Sequence, residues 1–166
     1  LMFYLIRRAS LREDREGGLE PFRKLEHLAK IYIFIVIITF SFAMIDWVMS
    51  IDAHWYSTIF AVKNFVAAFH HAAIVITFII LLMNQRGYFP FLNKCHLVYF
   101  SRYIFMLCII WGYFWFAEFM LIWYANIPEE TAYFIPRIRG EGWSFFFYAN
   151  IAINWFLPFV LLMPKA

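Results

Sequence analysis

Four long apolar runs, at about residues 31–49, 58–83, 101–124 and 143–163, constrain this chain more than any other feature. Each is close to the ~20 residues that cross ~30 Å of hydrocarbon as a helix. The runs are continuous and lack the period-two alternation of barrel strands. In hydrocarbon such a run can satisfy its backbone donors and acceptors only internally, as a helix. The expected fold is therefore an all-α membrane protein, a four-helix transmembrane bundle forming part of a larger multi-helix subunit. Composition agrees, since 64% of the 166 residues are hydrophobic and 15% charged, against roughly 45–50% and about 25% in a soluble domain. A globule of this length has too little interior to hide so much apolar surface. Disorder, a nucleic-acid-binding module and a disulfide-stapled secreted domain are excluded, and a net charge of +3 is too small to imply a polyanion partner.

Organisation follows from where the charges lie. Residues 1–6 read as the exit of a preceding membrane helix. The charged stretch 7–30, broken by Gly17-Gly18 and Pro21, reads as a cytoplasmic amphipathic segment, with a short surface helix from Pro21 leading into the bundle at 31–166. That stretch holds Arg7, Arg8, Arg12, Arg15, Arg23, Lys24 and Lys30, and the 84–100 loop holds Arg86 and Lys94. The opposite side has Arg137 and Arg139, offset by Glu129, Glu130 and Glu141. An excess of Lys and Arg marks the cytoplasmic side, so the loops around Asp52 and Glu129 face outward. Trp47, Trp55, Trp123 and Trp143 then fall together at the outer interface. Cys95 and Cys108 suit neither a zinc knuckle nor a redox CxxC pair. No secretory signal is recognisable, and both ends read as cut from a longer membrane protein.

Ionisable residues inside spanning helices are costly and point to function by default. Asp46, Lys63, His70, His71 and Glu118 are such residues, with Asp52, His54, Glu129 and Glu130 just beyond them. At the ~1.5 Å rise of a helix, His70-His71 sits near the midplane and the others are graded toward the outer face. Lys63, His70, Thr77 and Asn84 recur every seven residues and share one face, which should meet protein or a hydrated cavity. Asn150 and Asn154 lie one turn apart, with Pro158 a turn later freeing a carbonyl. Polar stripes also glue helices together, and Lys63 can pair with Asp46 or Glu118, or reach the outer interface. Two functions suit a half-depth file of titratable groups: proton transfer, or a quinol site where a His or carboxylate takes the hydroxyl proton. Midplane His on a single helix argues against bis-His haem, and no metal site is expected.

The outer segments are more specific. The stretch Asp46-Trp47-Val48-Met49-Ser50-Ile51-Asp52-Ala53-His54-Trp55-Tyr56-Ser57-Thr58-Ile59-Phe60 resembles a DWxMSLDPHWxSTxF signature, and Phe119 to Thr131 (FMLIWYANIPEET) resembles QxLLIWYxNIPEET. Both belong to the polysulfide-reductase-type integral membrane subunits of alternative complex III, a quinol:cytochrome c oxidoreductase. The chain looks most like the second, smaller of its two paralogous membrane subunits. The departures are Ala53 where the signature has Pro, and Glu118 just before a position that is Gln or Ser in many relatives. The His70-His71 pair matches no family motif.

The resemblance implies a multi-pass subunit of the bacterial inner (cytoplasmic) membrane in a respiratory electron-transport complex, carrying no redox cofactor of its own. Its implied partners are the paralogous membrane subunit, an iron-sulfur subunit, multi-haem cytochrome c subunits and a terminal oxidase. Menaquinol or ubiquinol is the substrate of the complex, with haem c and iron-sulfur clusters in the partners. For this chain the expected role is a proton-transfer path through Asp46, Lys63, His70, His71, Glu118 and Glu129, with scaffolding, beside the quinol-oxidising subunit. Two alternatives stay open: a quinol pocket near the outer face on Asp52, His54, Trp55 and Glu118, or a purely structural anchor.

Overall fold

The computed structural model describes residues 2–52 and 54–163; Ala53, where the signature has Pro, lies outside them, as do Leu1 and the last three residues. The described chain is all-α, with no strand. Four helical runs are long and apolar enough to cross a membrane: Leu19–Ile51, Thr58–Gln85, Lys94–Ala125 and Trp143–Leu162. The chain divides into two compact units, residues 1–43 and 44–166.

The first unit is a helical hairpin. Helix α1 (Met2–Glu16) takes the apolar start and the charged stretch into one continuous helix, because its Leu, Arg and Glu residues are good helix formers throughout. Gly17 (φ 62°) and Gly18 (φ 88°) then turn the chain in a left-handed conformation that is cheap only for glycine. Helix α2 (Leu19–Ala43) starts immediately and packs against α1. Pro21 sits in its first turn, where no intrahelical N–H bond is lost. The expected boundary at residue 30 thus falls inside α2.

The second unit opens with a π turn (Met44–Val48) and a short 3-10 turn (Met49–Ile51). Helix α3 (Thr58–Gln85) and helix α4 (Lys94–Ala125) pack against one another. Asn126 ends α4 in the left-handed conformation (φ 49°), its N–H donating to the Ile122 carbonyl at 2.9 Å. Pro128 then begins helix α5 (Pro128–Arg139), its fixed φ suited to a first helical position. The last run consists of α6 (Trp143–Ile151), a π turn (Ala152–Phe156) and α7 (Leu157–Leu162). Pro158 has no N–H for the Asn154 carbonyl, and the wider π turn sits where that bond is missing. This run packs on α4: the Cys108 thiol donates to the Trp155 carbonyl at 3.2 Å. Gly112 admits the Trp155 ring so closely that a Cβ there would lie 2.3 Å from it.

Burial inverts the soluble pattern. Large apolar side chains along the spans are exposed, among them Phe34, Phe78, Tyr113, Phe116 and Leu161, while the largest fully buried side chains among the described residues are His70, Glu118 and Cys108. A surface of that kind is covered by lipid or other membrane helices rather than water.

Candidate functional site

Glu118 is the centre of the polar interior. It projects from α4 toward α3, is 1% exposed, and accepts a hydrogen bond from the Lys63 ammonium on Oε2. The Ser57 hydroxyl donates to its other oxygen, Oε1, at 3.2 Å. Both partners come from α3 for local reasons. Ser57 is the N-cap of that helix, its Oγ also accepting the Phe60 N–H at 3.3 Å, as serine does for an orphan donor of a first turn. Lys63 lies on the buried face one turn past Phe60, its ammonium 5.0 Å from that ring's centroid. Of the two carboxylates that could have paired with Lys63, the fold uses Glu118; Asp46 is exposed on the π turn.

A cleft of about 180 Å³ opens beside the pair, lined by Tyr56, Ser57, Leu121, Ile122, Glu118 and Glu130, among others. Glu130 shares it with Glu118, whereas its neighbour Glu129 is exposed. The α5 helix, which begins at Pro128, gives successive residues different directions. Next to the cleft, Trp55 is buried and stacks on Tyr133 of α5 at 4.1 Å between centroids and 12° between planes. The Arg137 guanidinium lies 3.6 Å from the centre of the Tyr133 ring and donates to the Tyr133 carbonyl at 2.6 Å. Burial pushes the Tyr133 phenol above its ordinary range; Arg137 pulls it back and the Glu118 carboxylate raises it further. The indole N–H of Trp55 is buried and has no hydrogen-bond partner among the described residues.

His70 is two turns deeper on α3, about 10 Å from Lys63 along the axis. It is fully buried, and neither ring nitrogen has a hydrogen-bond partner among the described residues. The antiparallel register fixed by Lys63 and Glu118 sets Trp111, itself buried, at the level of His70. His71 points elsewhere and bonds Asn154 through Nε2, and the Asn154 amide donates to the Asn150 carbonyl at 2.9 Å. The ring planes of the two histidines are 25° apart, but they serve different interfaces.

The expected residues therefore separate into groups. Lys63 and Glu118 meet directly, with His70 further along the same buried face. His71 joins a helix-helix contact. Asp46, Asp52, His54 and Glu129 are exposed; the Asp52 carboxylate accepts the His54 backbone N–H at 3.4 Å. Further along the heptad stripe, Thr77 turns its hydroxyl to its own backbone, on the Ala73 carbonyl at 2.7 Å. Glu130 is legible in the sequence as a titratable group just beyond Glu118, whereas nothing singled out Ser57, Tyr133 and Arg137 for this site. A capping serine before an apolar run and the i, i+4 spacing of Tyr133 and Arg137 were the available signals. Among the described residues no group of three His, Cys, Asp or Glu side chains converges to hold a metal ion. Compared with known proteins, the chain matches neither a protein-family model nor a curated protein.

Proposed function

We propose that this chain is an integral membrane subunit of a respiratory quinol:cytochrome c oxidoreductase of the alternative complex III type. In this reading it supplies part of a transmembrane proton path and a scaffold beside the quinol-oxidising subunit. The observation that carries it is the buried Glu118 carboxylate, held by Lys63 and Ser57 and facing a cleft shared with Glu130. A carboxylate between a cation and a hydroxyl can release and retake a proton with little movement. The adjoining cleft of about 180 Å³ has room for several waters, which would link Glu118 to Glu130 and the outer surface. His70, at greater depth and with neither ring nitrogen bonded among the described residues, is the next carrier inward. Asp46 and Glu129 then act as outer-surface proton collectors. The outer motifs around Asp46–Phe60 and Phe119–Thr131 support the assignment to the complex. In that assignment the chain sits in a bacterial cytoplasmic membrane with the paralogous, iron-sulfur and multi-haem cytochrome c subunits as neighbours.

The second reading, a quinol pocket on Asp52, His54, Trp55 and Glu118, has in its favour that Glu118 does line a cleft. That cleft is smaller than the ~300 Å³ at which ligand pockets begin, and Asp52, His54 and Trp55 do not line it. The proton path is preferred on those two grounds.

The test separates chemistry from folding. Lys63→Met with Glu118→Gln removes both charges together and keeps an acceptor for Ser57. His70→Leu breaks no hydrogen bond among the described residues. Both variants should assemble with the partner subunits, while quinol turnover or its coupling to proton movement falls by about tenfold or more, as on loss of a positioned proton carrier. Assembled variants with unchanged turnover and coupling would leave only the anchor role.

A further inference from the structure

We propose that helix α1 carries a binding site for the phosphate of an anionic phospholipid headgroup, built around Arg7 and Arg8. A groove of about 690 Å³ runs along this helix, lined by Arg7, Arg8, Arg12 and Arg15 together with Tyr4 and Leu11. Of these arginines Arg12 is held by a carboxylate, Glu16, at 2.8 Å; Arg7, Arg8 and Arg15 are exposed and form no ion pair among the described residues. The only acidic side chain lining this groove is Glu16, already engaged. A second cleft, of about 520 Å³, lies between α1 and α2, where Arg8 is joined by Lys24 and by Glu20, a carboxylate paired with Arg23 at 3.8 Å. The two grooves share Arg8, Arg12 and Glu16; with both acidic lining residues, Glu16 and Glu20, already in ion pairs, the charge left over on this side of the hairpin is positive.

Position identifies the anion. In the hairpin Leu5 and Arg8 share the second cleft with Lys24 and Leu28 of α2. That part of α2 precedes the apolar run at residue 31 by three to seven residues, about 5–10 Å of helix. The polar layer of a bilayer leaflet extends roughly 5–7 Å beyond the hydrocarbon, so Arg7 and Arg8 lie at the level of lipid phosphates. Phe3 and Tyr4, 73% and 70% exposed, continue from there toward the acyl chains. A guanidinium fork at phosphate depth, with aromatic rings below it, is complementary to an anionic lipid rather than to a soluble anion.

Native mass spectrometry of the full chain in detergent, titrated with phosphatidylglycerol and with phosphatidylcholine of the same acyl composition, tests the site. Phosphatidylglycerol should be retained about tenfold better, and Arg7→Gln with Arg8→Gln should reduce it to the phosphatidylcholine level. Neither side chain makes a hydrogen bond or ion pair among the described residues, so unchanged helicity by circular dichroism is expected for the variant. Arg86→Gln with Lys94→Gln, which removes the same charge elsewhere, should keep the preference. Equal retention of both lipids, or an equal loss in the two double variants, would overturn the site. So would full displacement of phosphatidylglycerol by millimolar inorganic phosphate, since that would mark a site for the free anion.

Discussion

Lys63 and Glu118 are each unfavourable alone in an apolar interior and tolerable only as a pair. Truncating one partner leaves the other charged and buried, at a cost of about 3–5 kcal/mol, whereas replacing both is often neutral. Lys63→Met alone should therefore lower the midpoint of thermal unfolding in detergent, and adding Glu118→Gln should restore most of it. A midpoint unmoved by the single change would mean the charges are hydrated, not paired. Tyr133 gives a pH signature. Its phenol ionises above the ordinary tyrosine value, chiefly through burial, so the folded state holds that proton more tightly than the unfolded chain. Its contribution is fully present below the ordinary value near 10.0 and is lost as the pH rises through the folded-state value. Stability should drop in that alkaline window, and Tyr133→Phe should flatten the drop. The same phenol should be late to develop phenolate absorbance.

At the level of elements, the close contact of α4 with the last helical run depends on the absence of a side chain at Gly112. A Cβ would lie 2.3 Å from the Trp155 ring, so Gly112→Ala should cost about 1–3 kcal/mol by overpacking, read from the same unfolding midpoint. Trp155→Leu in that background should recover part of it. The apolar runs gave the spans, but not their ends. Helix α2 begins at Leu19 because Leu, Glu, Arg and Lys carry the helix beyond the apolar core into the polar layer, whereas α4 begins at Lys94 behind the Asn93 cap, whose N–H donates to His96 Nδ1 at 3.1 Å. Helix α5 was hidden for a different reason. Its twelve residues are short and amphipathic, a pattern that hydropathy averages into a loop. Its docking relies on the Trp55, Tyr133 and Arg137 stack, a contact between segments far apart in sequence.

For the whole molecule, the alternation of basic and acidic loops predicts sidedness. Single cysteines at Asp52 and Lys94, in a background lacking Cys95 and Cys108, should react with an impermeant thiol reagent from opposite faces of sealed vesicles. Labelling from one face would break the expected topology. The all-α class, the four spans and the presence of a polar stripe on α3 were all determined by sequence, because a hydrocarbon solvent leaves a continuous apolar run no other way to satisfy its backbone. Periodicity also placed Lys63 and His70 on one face, since a seven-residue spacing returns to the same side of a helix. Partner choice was decided only in three dimensions. Asp46 and Glu118 were equal candidates for Lys63 until the packing of α3 on α4 buried one and left the other exposed. Adjacent His70 and His71 parted because neighbouring residues on a helix point about 100° apart, and the interhelical register then determined which of them the protein enclosed.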